Sequence, residues 1–82
     1  MAQRADVVII GNNAQPLLLA ECKAPDINLS NKEILQEVYA QATRYNAVVK
    51  APYIIITNGL RHFCFEQGPE GYKALASFPK LG

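Results

Sequence analysis

Apolar residues in this chain fall into four runs, and the spacing inside each run predicts its element. Val7 to Ile10 and Leu17 to Ala20 are continuous apolar stretches separated by Asn12-Asn13-Ala14-Gln15, with Gly11 and Pro16 bracketing the loop. That punctuation predicts an antiparallel hairpin of strands 5–10 and 17–23. Its register sets Asp6 across from Glu21, Val8 from Leu19 and Ile10 from Leu17. Ala24-Pro25-Asp26 then stops the second strand.

The period changes further on. Ile34, Val38, Ala42, Tyr45 and Val49 recur at helical spacing, so a helix over 31–49 should lay one apolar face on a sheet. Ser30-Asn31-Lys32-Glu33 reads as a capping box at its start, and Pro52 closes it. Tyr53 to Thr57 is rich in β-branched residues and suits a central strand covered on both faces. Asn58-Gly59 signals a tight type I′ turn, with a fourth strand returning over 60–66. Strand, helix and strand from 17 to 57 form a crossover unit, whose two strands should be parallel. From Gln67-Gly68-Pro69 onward the segment reads as a loose tail, 67–82, with one helical turn over 72–76. The expectation is an α/β fold: a four-stranded mixed sheet with one principal helix, its core spanning 1–66.

Composition narrows the function classes. At 82 residues and 50% hydrophobic content, the chain can bury one core, and domains of this size gain from a partner subunit or further chain. A net charge of +1 is not the basic excess of an autonomous nucleic-acid binder. Two cysteines, Cys22 and Cys64, stand at no metal-ligand spacing and without a signal peptide, which predicts a reduced, cytoplasmic protein. No run approaches the roughly 20 apolar residues of a membrane span.

The candidate chemistry lies at the ends of the first hairpin. Two carboxylates directly opposed on paired strands repel each other unless a cation lies between them. Lys23, two residues beyond Glu21, shares their face. Asp6, Glu21 and the backbone carbonyl of Cys22 are hard oxygen donors that suit Mg²⁺ or Mn²⁺. Gln41 and Tyr45, four apart, lie on one helix face. The plainer reading makes Asp6 and Glu21 solvated strand ends, with Lys23 as their surface ion pair, worth little to stability. Cys22, pointing away from Glu21, reads as core. His62 reads as a packed or surface residue, and Arg44 and Lys50 as a solvated helix flank.

Asp, then Glu-x-Lys, then Gln-x-x-x-Tyr on a helix is the order found in PD-(D/E)xK nucleases. Through R-A-D-V-V-I, L-L-L-A-E-C-K-A-P, Q-A-T-R-Y-N and A-P-Y-I-I-I-T-N-G-L-R-H-F-C-F, the chain resembles the N-terminal nuclease domain of type I restriction subunits. The resemblance implies a restriction-endonuclease-like core and Mg²⁺-dependent DNA cleavage. Asp6, Glu21 and Lys23 would be catalytic, and Gln41 and Tyr45 would position phosphate or hold Lys23. Further domains or subunits of a restriction-modification complex, or a second copy of the chain, would be partners. Ala5 stands where the motif's name has proline. The acidic residue that such nucleases carry on an upstream helix has no counterpart in residues 1–4, so the sequence reads as a fragment or minimal form. There is no G-x-x-x-x-G-K-[ST] loop for ATP. A catalytically silent module of the same fold, used for docking or DNA positioning, is the competing expectation.

Overall fold

The computed structural model describes residues 5–78, with side chains described from Val7 onward. Five strands and one helix follow in the order β1 (Ala5–Ile10), β2 (Pro16–Cys22), α1 (Lys32–Val49), β3 (Tyr53–Thr57), β4 (His62–Gly68) and β5 (Gly71–Leu75). They form one mixed sheet ordered β1-β2-β3-β4-β5. Among the described strands only β2 and β3 run parallel, joined through α1.

The first hairpin holds the expected register from Asp6 opposite Glu21 to Val8 opposite Leu19. Beyond Ile9 a bulge shifts it, so Ile10 faces Pro16 rather than Leu17. The loop accounts for the slip: Gly11 N–H donates to the Gln15 carbonyl, and Ala14 takes a left-handed φ of 61°. The second strand therefore starts one residue early, at Pro16.

Strand alternation sorts β2 and β3 into two faces. Leu19, Glu21, Ile54 and Ile56 turn toward α1 and are buried. Val38 and Ala42 of the helix, with Leu29 and Ala51, complete the core. Each fully buried Leu or Ile contributes about 1.5–3 kcal/mol over its exposed state. On β4 the alternation sends Phe63 and Phe65 to the same side, where Tyr39 meets Phe65 edge-on at 5.0 Å.

The helix departs from its sequence pattern at three places. Asn31, not Ser30, is the N-cap: its φ of −78° and ψ of 122° are extended, and its Oδ1 accepts from the Glu33 and Ile34 amides. Tyr45 leaves the buried stripe, and Asn46 takes the place beneath the helix. Lys50, in a left-handed conformation, ends the helix two residues before Pro52, its N–H donating to the Asn46 carbonyl.

Two hairpins also differ from expectation. Thr57 pairs with His62, so residues 58–61 make a four-residue loop in which Asn58 has an ordinary negative φ and only Gly59, at 87°, is left-handed. Asn58 is buried because it is a hub. Its Oδ1 accepts from Leu60 and Arg61, and its Nδ2 donates to the Ile27 carbonyl at 2.7 Å. Tail residues 71–75 are not a helical turn but a fifth strand, antiparallel to β4. Gly68 faces Gly71 across Pro69-Glu70, so the residues that read as chain breakers form a tight turn. Tyr72 then reaches back under the helix.

That reach closes the far side of the core. Asn46 Nδ2 donates to the Ala51 carbonyl (2.8 Å) and to the Tyr72 hydroxyl (2.9 Å), while Asn46 Oδ1 accepts from Ala51 N–H (2.9 Å). Ala51 is wholly buried, so no water can substitute. Asn46→Ala should cost about 2 kcal/mol or more and Tyr72→Phe about 1 kcal/mol, since stranded buried groups cost more than one lost bond. Urea unfolding of both variants checks the order.

Candidate active site

Register alone sets the frame of the site. β1 and β2 bring the Asp6 and Glu21 backbones opposite each other; the Asp6 side chain lies outside the described residues. Glu21 has 0% exposed surface. It is not a solvated strand end: between Leu19 and the end of β2, it lies beneath α1 in line with Ile56 of β3. One residue past β2, the Lys23 N–H donates to the Thr57 carbonyl at 2.8 Å. This extra rung carries the strand's alternation one step further, so Lys23 returns to the Glu21 face.

The Lys23 ammonium lies 3.6 Å from Glu21 Oε2, and its side chain is only 13% exposed. It also donates to Gln41 Oε1 at 3.5 Å. The pair is thus no surface ion pair, because removing a partner from a sheltered pair exposes the other to most of its desolvation cost. Both contacts are long for charge-assisted bonds, which leaves the ammonium room to shift.

Gln41 and Tyr45 part company. Gln41 joins Lys23 in a cavity of about 300 Å³ whose other walls are Ile27, Ile34, Glu37 and Val38. Tyr45 lines a separate groove with Val8, Leu19, Arg44, Val48 and Val49. Glu37 is the residue that sequence reasoning passed over. It stands one turn before Gln41, and the same four-residue spacing that singled out Tyr45 could have found it. A further hollow, between Lys32, Leu35, Gln36, Tyr39 and Phe65, is apolar and lies over β4, away from Glu21.

Outside this corner the candidate residues are structural. Cys22 is half-buried rather than core, while Cys64 is buried on the face away from α1; burial pushes the Cys64 thiol up from its ordinary value, which keeps it protonated and unreactive. Thr57 Oγ1 accepts from Gly59 N–H and lies 2.6 Å from His62 Nδ1. His62 thus serves the turn.

The model of the family described as type I restriction enzyme R protein N terminus matches residues 1–79. The chain belongs to this family. None of the curated proteins and none of the solved structures matches it. Members of this R-protein N-terminal family belong to a larger restriction subunit. Among the described residues no helix is long and apolar enough to cross a membrane.

The donor chemistry fits a hard divalent cation: Glu21 offers carboxylate oxygens, the Cys22 carbonyl is adjacent, and Asp6 sits on the facing strand. Among the described residues no three His, Cys, Asp or Glu side chains gather as a ligand set, so a site here depends on Asp6. Lys23→Met should lower stability by about 1–3 kcal/mol, the range for a charge-assisted contact that is removed. The loss should shrink in a Glu21→Gln background. Equal losses in both backgrounds, measured by thermal or urea unfolding, would mean that the pair contributes nothing.

Proposed function

We propose that this chain is the metal-dependent DNA-cleaving module of a type I restriction R protein. The observation that supports the reading best is the sheltered Glu21 carboxylate with the Lys23 ammonium turned toward it, on a strand whose register brings up Asp6. Asp6, Glu21 and the Cys22 carbonyl would hold Mg²⁺ or Mn²⁺. When bound, such an ion polarises a phosphodiester and makes water a better nucleophile at neutral pH.

The chain's own residues supply the rest. Lys23 is placed to orient the attacking water and to offset the negative charge that grows on the phosphorus oxygens as the P–O bond forms. Gln41 holds the ammonium by its amide oxygen, so it acts as a positioning residue. Tyr45, at the mouth of its groove, would help to position a phosphate of the bound strand. Duplex DNA is the substrate class, and with little net charge in this module the rest of the restriction assembly supplies most of the grip on DNA.

Titration calorimetry with Mn²⁺ tests the metal. Weak binding to the native chain should vanish in Asp6→Asn and fall in Glu21→Gln; equal heats from native and Asp6→Asn proteins would remove the site. With the domain carried in a type I R protein, Lys23→Ala should cut DNA cleavage by about 10²–10³-fold while Mn²⁺ still binds. Cleavage at the native rate by a folded Lys23→Ala protein would leave the docking-module reading in its place.

A further inference from the structure

Lys23 is held loosely, in a space larger than its ammonium needs. The nitrogen stands 3.6 Å from Glu21 Oε2 and 3.5 Å from Gln41 Oε1, both beyond the roughly 2.7–2.9 Å of a tight charge-assisted bond. The cavity that Lys23 lines measures about 300 Å³. Its walls are sparing with polar groups: the side chains of Ile27, Ile34 and Val38 offer an ammonium no acceptor, and Glu37 is the one carboxylate among the described lining residues.

Glu37 is exposed and stands four residues before Gln41 in α1. The two side chains therefore leave the helix from one face, with Cβ atoms about 5–6 Å apart. An ammonium that touches Gln41 is within a side chain's length of Glu37. In the structure it turns to Glu21 instead, and burial explains the choice. Glu21 has no exposed surface and so has the greater need of a counter-charge, whereas water solvates Glu37.

Neutralising Glu21 reverses that preference. A divalent cation on the Glu21 carboxylate would take over as its counter-charge, and like charges about 4 Å apart repel more strongly under cover than in water. Lys23 then has no reason to face Glu21. Its stem is flexible, and the cavity is walled by α1 from Ile34 to Gln41, so a shifted ammonium need not leave for solvent. We propose that Glu37 is the second seat of Lys23: when a cation occupies Glu21, the ammonium pivots on the Gln41 amide oxygen and pairs with the Glu37 carboxylate. Glu37 is thereby a positioning residue, which keeps the ammonium in the cavity when its first partner is taken. The trigger rests on the cation reading of the site; the contact itself needs only an uncharged side chain at position 21.

Urea unfolding of the full 82-residue chain with a chelator present reads the second seat without any metal. Glu21→Gln keeps the shape of the side chain and removes its charge, as a bound cation would. Glu37→Gln alone should change the unfolding equilibrium constant by less than about twofold. In the Glu21→Gln background the same change should raise it about three- to fivefold, the range of a partly exposed ion pair, and adding Lys23→Met should abolish the difference. Should Glu21→Gln fail to fold, Glu21→Met, which buries no polar group, replaces it in the cycle.

Titration calorimetry supplies the metal arm. Glu37→Gln should weaken Mn²⁺ binding about threefold in the native chain and leave it unchanged in Lys23→Met, because its effect passes through the displaced ammonium. A carboxylate that itself ligates the cation would matter in both. No Lys23-dependent effect of Glu37→Gln when position 21 is uncharged, or an equal loss of Mn²⁺ affinity in both backgrounds, would overturn the inference. A native chain that gives no heat with Mn²⁺ would count against the cation reading alone, and the unfolding cycle would then decide the role of Glu37.

Discussion

A carboxylate without exposed surface, at the end of an interior strand, is the constraint around which this small fold is arranged. Burying a charge is costly unless it is paired, and Glu21 lies where an aliphatic residue would extend the row of Leu19, Ile54 and Ile56. The chain meets the constraint with Lys23, which reaches the carboxylate only because its amide adds one more rung to the parallel ladder with Thr57. Thr57 can offer that carbonyl because the turn after it is fixed by Asn58, and Asn58 is tied to Ile27 in the segment following Lys23. Strand end, turn and loop are held by one another, and the ion pair sits at their junction.

A domain with one helix cannot cover five strands. Helix α1 is placed over β2 and β3, and the polar contacts of Asn46 draw in Ala51 and Tyr72 so that the β5 side is closed as well. The helix's other flank carries Tyr45 and Val48 over an open groove toward β1. Asymmetry in coverage thus follows from one substitution in the helical stripe: an asparagine, not a tyrosine, turned inward at the last buried position.

Much of the fold was legible because its signals were local. The loop residues around Asn12-Asn13 set the hairpin register through Leu19, and hence the meeting of Asp6 with Glu21, and the period of Ile34, Val38 and Ala42 gave the helix. What failed to show depended on contacts between segments distant in sequence. Asn58-Gly59 has the composition of a two-residue turn, but the Asn58 amide is spent on Ile27, and the loop opens to four residues. Gly68-Pro69-Glu70-Gly71 looks like a chain leaving the fold, and only the docking of Tyr72 under the helix makes it a hairpin. In the candidate site, strand parity put Glu21 and Lys23 on one face, while Gln41 was linked to Lys23 by the family resemblance; helix spacing grouped it with Tyr45, which lines a separate groove. Burial of Glu21 was not legible, since a charged residue near a strand end reads as solvated, and Glu37 was passed over because no motif pointed to it.

Asp6 lies on β1 and Glu21 on β2, so the proposed cation site spans two strands. Edge strands open at low free energy, more readily than strands paired on both sides. Each excursion of β1 separates Asp6 from Glu21, so a ligand set that spans both strands is organised only while β1 is seated. By linkage, a cation bound between Asp6 and Glu21 would favour the seated form. The coupling can be no larger than the free energy of opening β1, and it acts through the position of Asp6 rather than through any new contact with the metal.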